Sequence, residues 1–546
     1  MYDSNVLYFS FGLILIIPFS IVMAKKLPIN GNKKANKSNV FIWTLLSLVI
    51  FNIVYFLASS INDNNKLNYD DNNDFVPVGE HIHNMEYNPM NIAGFVFSSK
   101  ESTPDLACDK ILHDDQSIIE VTPPIDLNKP TDLKTFRDQL KSRSSENNVY
   151  ELFFQDKEDE SEESILKDKW YKFCGSAIWL EKYGVYFMVN RIAYSFDKRR
   201  NHPTISVLAG QVFDKNWDEI YGMQFPFSNL TFPTVLPHYI DVGTQKKKDI
   251  LGSEDPRIIM HRYTNIDGVE IQEPLIVFNA LSQEVNWKRA MHIYRPLYDA
   301  NATIRLDIEG LEPRNKEKNW MPFDTTEDHI HFIYSFPLRV IRCELATGKC
   351  HKISGPDFND KSNAGILRGG TNLIEIPTKY VPEELKSRKF WLGIGRSHIK
   401  NCGCVNELYR PHAIIISREN EDGDGQYSLN YVSDLFDFNI NPEPWTSGKT
   451  TCSDGKSVLI PNSVAYFNDD HLGVTVSEAD RTNKLVHTRG WSSYIQKILN
   501  ELKFTLNDEN RDFIVDGNRL SECSTFFSGK YCDASKNSMG WDRKSV

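Results

Sequence analysis

Short apolar runs alternating with polar positions fill the chain from Lys169 onward, rich in Phe, Tyr, Trp, Ile and Val and punctuated by Gly, Asn and Asp turns. Period-two patterning of this kind predicts strands. Ala177–Leu180 and Val185–Val189 flank the turn Glu-Lys-Tyr-Gly, and Ile258–Tyr263 and Pro274–Asn279 flank Asp267-Gly268. Trp320–Pro322, His329–Ser335 and Arg339–Glu344 form the next group, and Thr371–Ile376, Phe390–Gly395 and His412–Ser417 follow Arg368-Gly-Gly. Ile460–Phe467 and His471–Ser477 come last, before Glu478-Ala-Asp480. Helical spacing is confined to Asp132–Ser142 and Ser492–Leu502, and Glu158–Glu163 reads as an acidic loop.

The groups recur at roughly 50 to 90 residues, each led by a Gly- or Pro-marked polar loop. Radial repetition would cover both faces of each small sheet and bring the leading loops to one mouth. The expectation is therefore an all-β domain, a five-bladed β-propeller over 166–546. A pair of β-sandwiches is the alternative, because short strands with turn signals do not fix closure. The preceding stretch, 59–165, is Asn/Asp-rich and then broken by Pro104, Pro123, Pro124 and Pro130, which suits a stem and an irregular lead-in.

At the start the pattern changes. Val6–Met23 and Val40–Ala58 are uncharged apolar runs, each about long enough to cross a bilayer as a helix. Lys25, Lys26, Lys33, Lys34 and Lys37 lie between them, which by the positive-inside rule puts that segment in the cytoplasm and the rest in the lumen. The expectation is a type II membrane protein with residues 40–58 as signal anchor and 1–39 as an apolar segment and basic loop. Residues 1–22 are either a second span or an extension upstream of Met23.

All nine cysteines follow the anchor, as an oxidising lumen predicts. Cys343 with Cys350, and Cys523 with Cys532, are the expected local disulfides, and the odd count leaves at least one thiol unpaired within the chain. Asn229-Leu-Thr and Asn301-Ala-Thr are potential N-glycan acceptors. A net charge of −11 with scattered basic residues excludes a nucleic-acid footprint. His398, Cys402 and Cys404 lack a second pair at zinc-finger spacing, so no metal site is assigned. Asp422-Gly-Asp424 reads as a polar turn.

One heptapeptide concentrates chemistry: Gly252-Ser-Glu-Asp-Pro-Arg-Ile258 carries two carboxylates, a fixed turn and a guanidinium. Pro256 is expected to hold Asp255 extended, and Gly252 to permit close backbone approach. A strand-leading turn closed by an Asp/Arg ion pair is the purely structural alternative. If the leading loops converge, Arg191, Glu254, Asp255, Arg257, Lys318, Arg368, Arg396, Tyr409, Arg410, Glu478 and Asp480 share one pocket. Such a pocket is cationic with an acidic focus, suited to a phosphorylated or nucleotide-linked sugar held by side chains. No Gly-x-Ser-x-Gly, His-Glu-x-x-His or Cys/His nucleophile pattern points to a common hydrolase.

The heptapeptide, Arg-Gly-Gly-Thr-Asn-Leu-Ile at 368–374, Trp-Leu-Gly-Ile-Gly-Arg-Ser-His at 391–398 and Tyr-Arg-Pro-His at 409–412 resemble the yeast cell-wall β-mannosyltransferase family. More distantly, Gly-x-Glu-Asp-Pro-Arg, Lys318-Asn-Trp and Ser477-Glu-Ala-Asp resemble five-bladed-propeller β-mannoside phosphorylases. The first resemblance implies transfer of mannose from GDP-mannose to the non-reducing end of mannan, with inversion to a β-1,2 linkage, by a Golgi enzyme of cell-wall biogenesis. It implies Asp255 as base, with Glu254 as hydroxyl ligand or substitute base. Arg191, Arg257, Lys318, Arg396 and Arg410 would neutralise the leaving diphosphate, with or without a divalent ion. Glu478 and Asp480 would bind sugar hydroxyls, and Arg368, Thr371, Asn372, His398 and Tyr409 would complete the substrate site. Asn372 stands where the phosphorylases tend to have proline, which favours a nucleotide-sugar donor over free phosphate. A phosphorylase or hydrolase, and a non-catalytic mannan-binding propeller, are the rival readings.

Overall fold

The structure, a computed structural model, describes residues 79–90, 94–96, 119–143, 148–226, 228–238, 240–241, 250–265, 268–298, 302–359, 366–402, 405–419, 425–442 and 458–506, and 520–521, 524–526, 528–529 and 532. Both N-terminal apolar runs, Asn301, Cys523 and the Asp422/Asp424 turn lie outside these residues. No helix among the described residues is long and apolar enough to cross a membrane.

The fold is mostly β, with few helices. Five antiparallel meanders follow one another along the chain. The first runs through Trp170–Leu180, Val185–Tyr194 and Ile205–Phe213, edged by Thr234–Val235. The second comprises Leu251–Thr264, Glu270–Ser282, Lys288–Tyr294 and Thr303–Arg305, joined to the first where Leu251 and Gly252 pair in parallel with Ile205 and Ser206. Met321–Thr325, His329–Ser335, Arg339–Glu344 and Lys349–Ser354 make the third. In the fourth, Arg388–Cys402, Val405–Glu419 and Tyr427–Ser433 are led by two short pieces, Leu367–Arg368 and Ile374–Glu375.

The fifth contains Leu459–Asn468, His471–Glu478 and Thr482–Arg489, and its outer strands come from far upstream. Ile119–Val121 pairs with the Thr482–Arg489 strand and Asn88–Met90 with Ile119–Val121, while Gly94–Val96 edges the fourth meander. The stretch expected to be an irregular lead-in thus supplies edge strands to the fourth and fifth meanders. Residues 72–546 form one compact unit.

Each meander is tied to the next by hydrogen bonds. The Ser206 hydroxyl donates to the Ser253 carbonyl, Thr325 Oγ1 to the Met260 carbonyl, and the Leu373 amide to the Pro322 carbonyl. The Asn372 amide group donates to the Val464 carbonyl at 3.1 Å and accepts from the Val464 amide at 2.9 Å. The fifth then returns to the first: Cys174 N donates to Ser477 Oγ, Gly175 N to Asn483 Oδ1 and Ala177 N to Ser463 Oγ. Sheets covered on both faces explain why Val185–Tyr194 is buried along its whole length, a continuous run rather than an alternation.

Two helices, Asp132–Arg143 and Glu162–Lys169, put Phe136, Leu140 and Ile165 against Trp170 and Tyr194 of the first meander. The expected acidic loop holds over 158–161, and its last two residues, Glu162 and Glu163, open the second helix. Its Ser161 hydroxyl caps the Ser164 amide, and Glu162 and Glu163 sit favourably at the positive end of the helix dipole. The C-terminal helix Trp491–Leu506 buries Trp491, Tyr494, Ile495, Ile498, Leu499 and Leu502, one apolar stripe at helical spacing. Cys343 and Cys350 are disulfide-bonded as expected; Cys532 is also disulfide-bonded, and its expected partner Cys523 lies outside the described residues.

Candidate active site

The heptapeptide is not a turn before a strand but the start of the long strand Leu251–Thr264. Its pairing with Glu270–Ser282 shifts register between Glu254 and Arg257, a bulge centred on Asp255-Pro256. Here the extended geometry expected for Asp255 is corrected: its φ is +50°, in the left-handed region. Proline disfavours the right-handed α region for its predecessor, and the bulge takes the other route out, which aspartate tolerates better than most residues. Gly252 has φ +77°, and a Cβ there would lie 2.0 Å from the Ser206 carbonyl oxygen. Only glycine lets the first two meanders approach this closely.

The bulge separates the two carboxylates by function. Glu254 is buried between two guanidiniums, with Arg191 Nη2 at 3.1 Å and Arg289 on its other oxygen. That is the environment of a structural ion pair. Asp255, whose side chain keeps about a fifth of its exposure, receives Arg191 Nη1 at 3.4 Å and Cys174 Sγ at 3.6 Å, both on Oδ1. Burial opposes its ionisation, but Arg191, Lys318, Arg396 and Arg257 outweigh burial and hold the carboxyl well below the usual carboxylate range.

The surrounding cations are fixed differently from one another. Arg191 is buried over the Phe173 ring and donates from Nε to Ser206 Oγ at 3.1 Å. Burial works against its charge, yet Glu254 and Asp255 raise its pKa overall. Arg257 is buried and aimed by backbone carbonyls, those of Gly370 and Pro256, and burial and the neighbouring Arg396 lower its pKa to about 10. The repulsion between these two guanidiniums would be relieved by an anion beside them. Arg396 Nη2 donates to Asn319 Oδ1 at 2.6 Å, next to the exposed Lys318, and its guanidinium lies over the Tyr409 ring. Tyr409 in turn stacks on His398, the rings 4.4 Å apart and nearly parallel. Arg368 is cross-strand partner of Arg396, and burial and Arg396 depress its pKa. Asp480, at φ +52°, lies within electrostatic reach of Cys174 and Arg191.

Other expected residues are held by bonds within the protein. Asn372 spends its amide on Val464, and Thr371 Oγ1 donates to the Asn372 carbonyl and accepts from the Ile394 amide. Both clamp the fourth meander. Asn372 also lines a separate cavity of about 470 Å³ with Trp179, Arg262, Asp324 and Trp391. Trp179 is five residues past Cys174 on one strand, ~16 Å along it. Arg410 is buried and donates from Nη1 to the Tyr409 carbonyl, and Glu478 is buried and accepts from Thr482 Oγ1 at 3.4 Å. Asn229 is exposed, as a glycan acceptor must be. Among the described residues no His, Cys, Asp and Glu side chains group as a metal site.

Three participants carried too little signal in the sequence: Cys174, Arg289 and Asn319. The odd cysteine count required an unpaired thiol without saying which, and Asn319 sat unexamined inside Lys318-Asn-Trp.

An ionised carboxylate ringed by cations drawn from successive sheets makes this cluster the candidate active site. The chain belongs to the beta-mannosyltransferase family, whose profile matches residues 107–302 and 297–531. It is 57% identical over 553 residues to "Beta-mannosyltransferase 3" of Candida albicans, covering 100% of each chain. To "Beta-mannosyltransferase 2" of Komagataella phaffii it is 30% identical over 480 residues, covering 82% of this chain and 71% of the other. Among solved structures it is similar to a beta-1,2-mannobiose phosphorylase from Listeria innocua, with TM-score 0.33, 12% identity, and coverage of 61% of this chain and 92% of that one. A GDP-Man-dependent mannosyltransferase from Leishmania mexicana gives TM-score 0.34 and 10% identity, over 59% of this chain and 85% of that one.

Proposed function

We propose that this β-mannosyltransferase moves mannose from GDP-mannose to the non-reducing end of a mannan or mannolipid chain, forming a β-1,2 bond with inversion. The observation that carries the reading is the unequal pair of carboxylates: Glu254 is consumed by Arg191 and Arg289, while Asp255 faces a cluster of cations. An inverting hydrolase needs two working carboxylates, one acid and one base. A transferase with a diphosphate leaving group needs one base and positive charge.

In the proposed step the acceptor hydroxyl gives its proton to Asp255 as its oxygen attacks the anomeric carbon from the face opposite the diphosphate. The new C–O bond forms as the bond to the diphosphate oxygen breaks, and GDP leaves with the electron pair. Arg257, Arg396 and Lys318 take the developing charge, with Arg368 at the margin. The same anion offsets the field that depresses Asp255, so the docked donor makes that carboxylate a stronger base. Asp480 and Glu478 are assigned to sugar hydroxyls, and His398 and Tyr409 to the wall behind Arg396.

The fold that supports this is proposed to be a five-bladed β-propeller, one meander per blade. The cyclic hydrogen bonds from the first to the fifth meander and back are its support. The catalytic unit is proposed to lie in the secretory lumen behind the 40–58 anchor, as the apolar runs, the lysines between them, the Cys343–Cys350 disulfide and the exposed Asn229 sequon favour.

The test uses the full-length protein in detergent with GDP-mannose and a mannooligosaccharide. The expected product is longer by one β-linked mannose, with GDP released. Mannose 1-phosphate formed from a β-mannoside and inorganic phosphate, without nucleotide, would establish the phosphorylase reading instead. Binding of oligomannoside with turnover of neither donor would leave a binding protein.

A further inference from the structure

The mechanism so far uses Asp255 without saying what sets the plane of its carboxylate. A carboxylate on a strand bulge turns about its χ angles, and a base must present one particular lone pair to the acceptor. Two neighbours reach Asp255, and both reach Oδ1: Arg191 Nη1 at 3.4 Å and Cys174 Sγ at 3.6 Å. Oδ2 is therefore the oxygen turned toward the pocket.

Cys174 is itself held in an unusual place. Its φ is +52°, the pairing of its strand with Val185–Tyr194 shifts register between Phe173 and Ser176, and its thiol is buried and unpaired by any disulfide. The bulge is stapled across the join between the fifth and first meanders. Cys174 N donates to Ser477 Oγ at 2.7 Å, Gly175 N to Asn483 Oδ1 at 2.7 Å, and Asn462 Nδ2 also donates to Ser477 Oγ at 2.6 Å. Asn483 Nδ2 reaches Asn190 Oδ1 at 2.9 Å, and Asn190 reaches Gln211. A buried polar network of this kind rigidifies what it holds. The strained residue at its end is the one whose side chain meets the candidate base, and φ > 0 in a non-glycine residue persists only where the surroundings impose it.

The thiol suits this position. Burial, together with Asp255 and Asp480, raises its pKa well above the ordinary thiol value, so it is a neutral S–H donor beside a carboxylate. A thiol also accepts hydrogen bonds weakly, so it competes little with Oδ1 for the Arg191 proton.

We propose that Cys174 is a positioning residue for the base: its S–H donates to Asp255 Oδ1 and fixes the carboxylate plane, leaving Oδ2 to take the acceptor proton. Phe173 and Cys174 then form one buttress, the ring beneath Arg191 and the thiol against Asp255. The proposal rests on Asp255 acting as the base.

The test is steady-state transfer by the full-length protein carrying Cys174→Ala, Cys174→Ser or Asp255→Asn, with thermal unfolding of each. Cys174→Ala is expected to lower kcat about tenfold, the loss of one hydrogen bond to a charged group, with the KM for GDP-mannose unchanged. Its acid limb in kcat should move to higher pH, because removing a donor to the ionised carboxylate raises the Asp255 pKa. Cys174→Ser, which keeps a donor on a shorter bond, should recover part of kcat. Wild-type kcat and an unmoved acid limb in Cys174→Ala, alongside an inactive Asp255→Asn, would overturn the positioning role and leave the base intact. Turnover by Asp255→Asn near the wild-type rate would overturn the base itself, a separate failure.

Discussion

Asp255 and Glu254 are adjacent in sequence and opposite in circumstance. Glu254 lies between Arg191 and Arg289, while Asp255 shares Arg191 with it and faces Lys318, Arg396 and Arg257 across the pocket. The resemblance implied Asp255 as base and left Glu254 as ligand or substitute, but the residues alone gave no physical ground for telling the two acids apart. That distinction depends on Arg289, whose strand lies two hairpins away in pairing and carries no motif. The depressed folded-state pKa of Asp255 has a consequence for stability. Its ionised form contributes above the unfolded value of about 3.9, and the contribution is lost as pH falls through the lower folded value. Asp255→Asn should therefore lower stability at pH 7 by about 1–3 kcal/mol, the range for a charged group leaving its partners. The deficit relative to wild type should shrink only below about pH 4. Chemical denaturation of both proteins at pH 7 and at about pH 3 checks this, and an Asn variant as stable as wild type at pH 7 would mean the cations are satisfied without the carboxylate.

The bulged strand Leu251–Thr264 shows what local pattern does and does not reveal. Its apolar stretch from Ile258 and its hairpin about Gly268 were legible from alternation and the Asp-Gly turn. Its first residues were not, since a bulge breaks the period on which strand reading depends. The same limit applies at Thr371–Ile376, where alternation promised a strand but only Ile374–Glu375 pairs, because Thr371 and Asn372 are spent on the join to the next meanders. The acidic run Glu158–Glu163 is a loop as far as Ser161, but its charges hid the start of an N-capped helix at Glu162 whose apolar contribution is largely Ile165. Gly252 tests how much the element matters to the site. With φ +77° and the Ser206 carbonyl against its missing side chain, Gly252→Ala should cost about 1–3 kcal/mol in stability. Activity should fall with it, as the first and second meanders separate and Arg191 is drawn from Asp255. Full activity and an unchanged melting temperature would show that the close approach is dispensable.

Across the whole unit, the repetition of short strands was readable, whereas closure was not, because closure is made by side chains and by sequence-distant partners. Ile119–Val121 completes the fifth meander from more than three hundred residues upstream, and the Ser463, Ser477 and Asn483 side chains join fifth to first. Nothing in the strand pattern shows which distant residues these partners meet. Closure brings Arg191 and Cys174 of the first meander, Asp255 and Arg257 of the second, Lys318 at the head of the third, Arg396 of the fourth and Asp480 of the fifth within reach of one another. It thereby turns one surviving carboxylate into the centre of a cationic pocket. The central claim is that this carboxylate takes the proton from the acceptor hydroxyl. The most direct measurement is kcat for mannosyl transfer by full-length Asp255→Asn, with circular dichroism to verify the fold. The account predicts a loss of about 10²–10⁴-fold, the contribution of a general base, with GDP-mannose still bound. A variant that is folded, binds donor and turns over at the wild-type rate would contradict it.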